Sequence, residues 1–254
     1  MSPVAHRIGA AIVVAIGLIG AFGGLAGGTA EEASAEAAVP TTTTVPGPRL
    51  EGSAAELVAA SAEAMAAVTS ARFDVTRTGA PVYIDVVEEL ALDAVVGRFQ
   101  APADADALVT VTVSGDLATV LGAVALGSDI WLSNPITGEF EPLPPSYDID
   151  PSRFFDPTGG WHPLLAGLID PELVRDADTI HLRGTAPKAE LRKVTAGLVR
   201  ADDVVLDLWI DPYTALVVRV EFSVEDRHGV SDWVLELSDY GTPFAIEAPP
   251  GVDR

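Results

Sequence analysis

The side chains able to do chemistry are few and scattered. Beyond the first 30 residues the histidines are His162, His181 and His228. One stands beside a helix proline, one on an expected strand and one in a tight turn. They show no metal-ligand spacing, so each reads as a hydrogen-bonded or exposed histidine. Two Asp-x-Asp pairs, Asp104/Asp106 and Asp148/Asp150, lack the glycine and distant glutamate of a calcium loop and read as solvated loop carboxylates. The run PTGGW, Pro157 to Trp161, puts two glycines before a helix, where free amides can hold an anion. With no supporting strand and no lysine it reads as a helix-entry turn. There is no G-x-S-x-G elbow, Walker A loop or H-E-x-x-H. The absence of cysteine removes thiol nucleophiles, disulfides and Cys-based metal sites. No catalytic residue, metal ligand or cofactor is therefore expected, and the chain does not read as an enzyme.

With chemistry this sparse, the informative feature is the patterning of apolar residues. In VVLDLWIDPYTALVVRVEF, Val204, Leu206, Leu208 and Ile210 fall on one face of a strand, because side chains alternate with period two. Leu216, Val218, Val220, Phe222 and Val224 do the same after a turn. A shared face requires an odd loop. Three residues, Pro212–Thr214, pair Leu208 with Val218 and Leu206 with Val220; five remain possible because Thr214 fits a left-handed position poorly. That register sets Asp207 against Arg219 on the opposite face. His228-Gly229 reads as the next two-residue loop, pairing Val224 with Trp233, Phe222 with Leu235 and Val220 with Leu237. The result is an antiparallel meander with one apolar face, which must bury that face against something.

The rest of the chain continues the pattern. The 37 acidic and 15 basic residues give a net charge of −22. That excludes nucleic acid and polybasic docking on anionic headgroups. One arginine, Arg7, precedes an uncharged apolar run from Ile8 to about Gly28, followed by acidic residues. Residues 1–30 are expected to be either a cleaved export signal or a retained membrane anchor. Residues 31–52, rich in Ala, Glu, Thr and Pro, read as a tether, and residues 53–254 as one folded domain. The location expected is the cell envelope, or outside the cell if the signal is cleaved.

Ser53 and Glu56 form a capping-box pattern before a helix whose apolar face is Leu57, Ala64, Met65 and Val68. Strands are expected through Phe73 and Val75, through Val82, Ile84 and Val86, through Val109, Val111 and Val113, and through Leu117, Leu121, Ala123 and Ala125. Asn134 to Pro151 reads as loop. Trp161, Leu164, Leu165, Leu168 and Ile169 cover more than one stripe of a short helix, so it is buried or faces something apolar that is not the chain. Pro187 opens another helix with a stripe of Leu191, Val194 and Leu198. Nine to eleven strands and three helices, not alternating as βαβ, make the class α+β.

Five segments in order, SAEAMAAVTSARFDV, IWLSNPITGEF, DPSRFFDPTGGWHPLL, LWIDPYTALVVRVEF and DYGTPFAIEAPPG, carry a resemblance. From about Ser53 to Pro249 the chain resembles the LppX/LprA/LprF/LprG family of actinobacterial cell-envelope lipoproteins. The resemblance implies a single, strongly curved antiparallel sheet, a LolA/LolB-like half-barrel with helices in its concave side, enclosing an apolar cavity for acyl chains of envelope lipids or glycolipids. On that basis the cavity-lining candidates are Phe73, Val75, Ile84, Val86, Val109, Val111, Val113, Leu121, Trp161, Leu164, Leu165 and Leu168. Leu206, Leu208, Val218, Val220 and Leu235 complete the set. The implied role is carriage or presentation of a lipid; the alternative is a non-enzymatic sensor or partner-binding module with a closed core. The family's usual lipidated cysteine is missing from these 254 residues, which leaves the apolar amino-terminal run as the expected membrane contact if it is retained.

Overall fold

The computed structural model describes residues 47–84, 88–113, 117–142, 160–195, 197–199 and 201–252. Helix α1 (Ala54–Ala66) leads into strands β1 (Ser70–Gly79), β2 (Leu90–Gln100), β3 (Asp104–Val113), β4 (Leu117–Leu126), β5 (Asp129–Ser133) and β6 (Phe140–Pro142). Helix α2 (Trp161–Ala166) precedes β7 (Ile169–Asp176) and β8 (Ile180–Ala186), and α3 (Lys188–Val194) precedes β9 (Val204–Ile210), β10 (Val217–Asp226) and β11 (Gly229–Ser238). All eleven strands form one antiparallel sheet in the order β6-β5-β4-β3-β2-β1-β11-β10-β9-β8-β7, with β6 and β7 as its two edges. Two meanders are thus joined where β1 meets β11, pairing Phe73 with Leu237 and Val75 with Leu235. Every other pair of neighbouring strands is consecutive in sequence, while β6 and β7, consecutive in sequence, stand at opposite edges.

Alternation decides the two faces. Ala105, Ala107, Val109 and Val111 of β3, and Val204, Leu206, Leu208 and Ile210 of β9, are buried while their neighbours are not. The buried side chains of all three helices belong to the same apolar cluster as these strand residues, so the helices lie on that inner face. The α+β class and the open antiparallel sheet expected from the sequence are the architecture found.

Several local expectations are corrected. The first meander hairpin has neither a three- nor a five-residue loop. Asp211 and Leu216 close a four-residue loop, with Ala215 at φ 61 and the Asp211 carboxylate accepting from the Tyr213 and Thr214 amides. An even loop would turn the second strand inside out, and a bulge between Val217 and Arg219 restores the parity. Ile210 therefore pairs with Val217 and Leu208 with Val220, while Val218 is the half-buried bulge residue. The second hairpin turns at Arg227-His228, which pairs Val224 with Ser231, Phe222 with Trp233 and Val220 with Leu235. That is two residues off the expected register, a slip that leaves every side chain on its own face.

Helix α2 ends at Ala166. Leu168 lies beyond it and Ile169 opens β7, half exposed. Gly184 of β8 makes room there: a Cβ at that position would stand 2.6 Å from the Leu168 side chain. Val82–Ile84 forms no strand, only a single bridge from Tyr83 to Ala91. The expected loop from Asn134 contains β6, and Leu198 is buried beyond the end of α3.

On the outer face, Asp207 does not pair with Arg219. It sits opposite Arg183 and Glu221, accepting Arg183 Nε and Nη2 at 3.0 Å each and contacting His181 Nε2 at 2.6 Å. His181 stacks on Trp209 at 4.3 Å, and Arg219 lies over the far side of that network, bonded to Glu221. Partial burial alone would raise the Asp207 carboxyl; the hydrogen bonds from Arg183 and His181 outweigh it and hold the group below the usual range. A depressed carboxylate stabilises the fold above its unfolded pKa, and that contribution disappears as pH falls through the folded value. Asp207→Asn is expected to cost about 1 kcal/mol near pH 7, since Arg183 is half exposed, with the difference from wild type shrinking as pH falls below the ordinary carboxylate range. Denaturant melts across this pH range check it.

Candidate functional site

The inner face is built from alternate residues of successive strands, and three short helices cover it. Helix α1 begins with the full capping box: Glu56 Oε2 accepts the Ser53 amide at 2.8 Å, and Ser53 Oγ accepts the Glu56 amide. The Ser53 hydroxyl, donating to Glu56 Oε2 at 2.7 Å, and the Ser53 amide hold the Glu56 carboxyl below its ordinary range. The helix then buries Leu57, Val58, Ser61, Ala62 and Met65. Val58, Ser61 and Ala62 lie outside the stripe expected from sequence, and Ala64 and Val68 of that stripe are only partly buried. Helix α2 has no side-chain cap and is held by the burial of Trp161, Leu164 and Leu165. Its His162 reaches Glu63 of α1 at 3.4 Å on the solvent side. Helix α3 contributes Leu191 and Val194.

Thirteen of the candidate lining residues meet in one buried cluster: Phe73, Val75, Ile84, Val109, Val111, Leu121, Trp161, Leu164, Leu165, Leu168, Leu206, Leu208 and Val220. Val113 and Leu235 are half-buried and pack against it, and Val218 stands apart at the bulge. Val86 lies outside the described residues. Sequence reading missed Leu92, Val95 and Phe99 of β2, Leu182 of β8, and Trp233 as a partner of Phe222, on which it stacks at 5.8 Å. The β2 alternation is the signal that was available, but a bulge between Leu92 and Ala94 breaks it.

Two dimensions describe the arrangement. Ten inter-strand spacings of about 4.8 Å make the sheet about 48 Å from edge to edge along its surface. Helices of 13, 6 and 7 residues are about 20, 9 and 10 Å long. Yet Val109, Val111, Leu121, Leu165, Leu206 and Leu208 have no accessible area. Chain atoms cover them completely in this conformation.

Polar chemistry lies elsewhere. Among the described residues no three His, Asp or Glu side chains are grouped to hold a metal. Asp106 is paired with Arg98 on the outer face, and Asp104 accepts the Gly127 amide; both are strand residues with partners, not free loop carboxylates. Asp148 and Asp150 lie outside the described residues. An outer groove of about 1090 Å³ runs over β9, β10 and β11; its two cations are paired, Arg183 to Asp207 and Lys188 to Asp202, which leaves the groove acidic through Asp203, Glu221, Glu225 and Asp232.

An open antiparallel half-barrel whose inner face is apolar apart from Arg77 and Ser231 and capped by short helices defines a recognisable class. The chain belongs to the LppX_LprAFG lipoprotein family, whose model matches residues 53–246. Among solved structures it is similar to LprF from Mycobacterium bovis, at 18% identity and a TM-score of 0.61, over 79% of this chain and 100% of that one. It is also similar to the lipoprotein LppX from Mycobacterium tuberculosis, at 17% identity and a TM-score of 0.51, over 76% of this chain and 98% of that one. At these identities the likeness is one of fold. Comparison with curated proteins finds no match.

Proposed function

We propose that the protein is an exported cell-envelope lipid-binding protein, not an enzyme, that shields acyl chains and carries or presents an envelope lipid or glycolipid. The observation that supports this is the inner face itself: apolar across the sheet apart from Arg77 and Ser231, and roofed by helices whose buried side chains are aliphatic or aromatic apart from Ser61. Acyl chains enter between roof and sheet when the helices lift. Each methylene taken out of water contributes about 0.8 kcal/mol, so two long chains offset the opening of a short-helix roof without any polar motif. Residues 1–30 serve as export signal or membrane anchor, 31–52 as tether and 53–254 as the carrier domain. The 254 residues contain no cysteine that could carry a thioether lipid.

The second reading is a closed-core sensor or partner-binding module on the same fold. The full coverage of Val109, Val111, Leu206 and Leu208 favours it. Titrating delipidated full-length protein with a fluorescent two-chain lipid separates the two. Saturable binding near one lipid per chain, lost when an unlabelled two-chain lipid competes, is the expected result. A linear, non-saturating signal supports the closed core.

A further inference from the structure

Helix α1 carries one polar group on its buried face. Ser61 has no accessible area, and its Oγ makes no hydrogen bond. At 100° per residue it falls near the centre of the buried arc, one turn from Leu57 and one turn from Met65. This is the least favourable place on the helix for an unpaired hydroxyl, because a buried polar group without a partner loses its hydration and gains nothing.

Three other buried hydroxyls of the molecule are paired. Thr195 Oγ1 donates to the Leu191 carbonyl one turn back at 2.8 Å, the usual resolution for a helical hydroxyl. Ser133 Oγ accepts the Gly122 amide at 2.6 Å, and Ser231 Oγ accepts Trp233 Nε1 at 3.1 Å. Among the described residues Ser61 Oγ is the one fully buried side-chain oxygen or nitrogen without a partner, and it sits on the helix that roofs the apolar face.

We infer that Ser61 is the polar anchor of the lipid site, donating its hydroxyl hydrogen to an acyl carbonyl of the bound lipid. This rests on the lipid-binding reading and adds the group recognised. The chemistry selects a carbonyl over a phosphate. A phosphate here would be stripped of water with no cation on the buried faces of the helices to meet it. The buried Arg77 is already committed to Asp93 and to the carbonyls of Leu92, Gly79 and Ala80. An acyl carbonyl is neutral, accepts one hydrogen bond and arrives joined to the chains the apolar face takes up. Ser61 thereby sets how far each chain enters, and it favours acyl over alkyl lipids.

The test uses delipidated full-length wild type and Ser61→Ala, each titrated with a diacyl glycerolipid and with its dialkyl ether analogue of identical chains and headgroup. The wild type is expected to bind the diester about 5–10-fold tighter than the diether, the effect of one net hydrogen bond. Ser61→Ala is expected to bind both with the affinity the wild type shows for the diether, and to melt no lower than wild type when delipidated. If Ser61→Ala keeps the diester preference, or melts lower, the hydroxyl has another role and the assignment is wrong. If wild type binds both lipids equally well, Ser61 is not the anchor while the lipid-binding reading stands. If wild type binds neither, the lipid-binding reading fails and takes this assignment with it.

Discussion

Leu208→Ala is expected to lower the stability of the delipidated protein by about 2–5 kcal/mol, a fall in melting temperature on the order of 5–15 °C for a domain of this size. Leu208 is central in β9, between Leu182 of β8 and Val220 of β10, and none of the first two has accessible area. Removing three carbons loses their transfer free energy and leaves a cavity. The ladder on both sides holds the flanking strands in place, so the site cannot collapse to fill it. Added lipid should raise the melting temperature of wild type and variant alike, because a ligand of the folded state stabilises by mass action. Thermal melts with and without a two-chain lipid check both statements. An unchanged delipidated melting temperature contradicts the placement of Leu208 in a rigid inner face.

Val111→Trp probes the other half of the sheet and has its largest effect on binding. Val111 is fully covered on β3, flanked by Leu92 of β2 and Thr119 of β4. In a core with one packing arrangement, an indole there costs about 1–3 kcal/mol or more. Where the roof lifts from the sheet, the indole occupies room that acyl chain would use. The delipidated variant is then expected to melt within about 2–4 °C of delipidated wild type, corresponding to less than about 1 kcal/mol. Its lipid affinity is expected to fall about tenfold, the equivalent of 1.4 kcal/mol. A variant that unfolds, beside a wild type that takes up no lipid, is the outcome for a closed core.

The parts of the fold legible in the sequence are those governed by local rules. Ser53 and Glu56 announce α1 because the capping box is a four-residue device. Val204 to Ile210 and Val109 to Val111 show their inner faces because nothing interrupts the alternation. What stayed illegible depends on interruptions or on distance. One extra residue at Asp93 in β2 and one at Val218 in β10 switch parity mid-strand. Strand β7 carries two register shifts, a proline at 171 and Asp170 at φ 49, which suits a sheet edge and erases the strand pattern. The β1–β11 seam joins Arg72 to Ser238 across most of the folded domain, and no local signal encodes it. Ser61 was invisible for a different reason. A serine among alanines on a helix is unremarkable until its hydroxyl is found buried and unpaired.

The most direct measurement is native mass spectrometry of the protein purified from an actinobacterial host without a delipidation step. The expected spectrum contains a non-covalent adduct with the mass of a two-chain acyl lipid, in near-equimolar amount, that disappears on collisional activation or solvent extraction and is much reduced in Val111→Trp. A spectrum showing only the bare chain, from protein that also fails to take up a two-chain lipid on titration, contradicts the lipid-binding reading and leaves the closed-core module in its place.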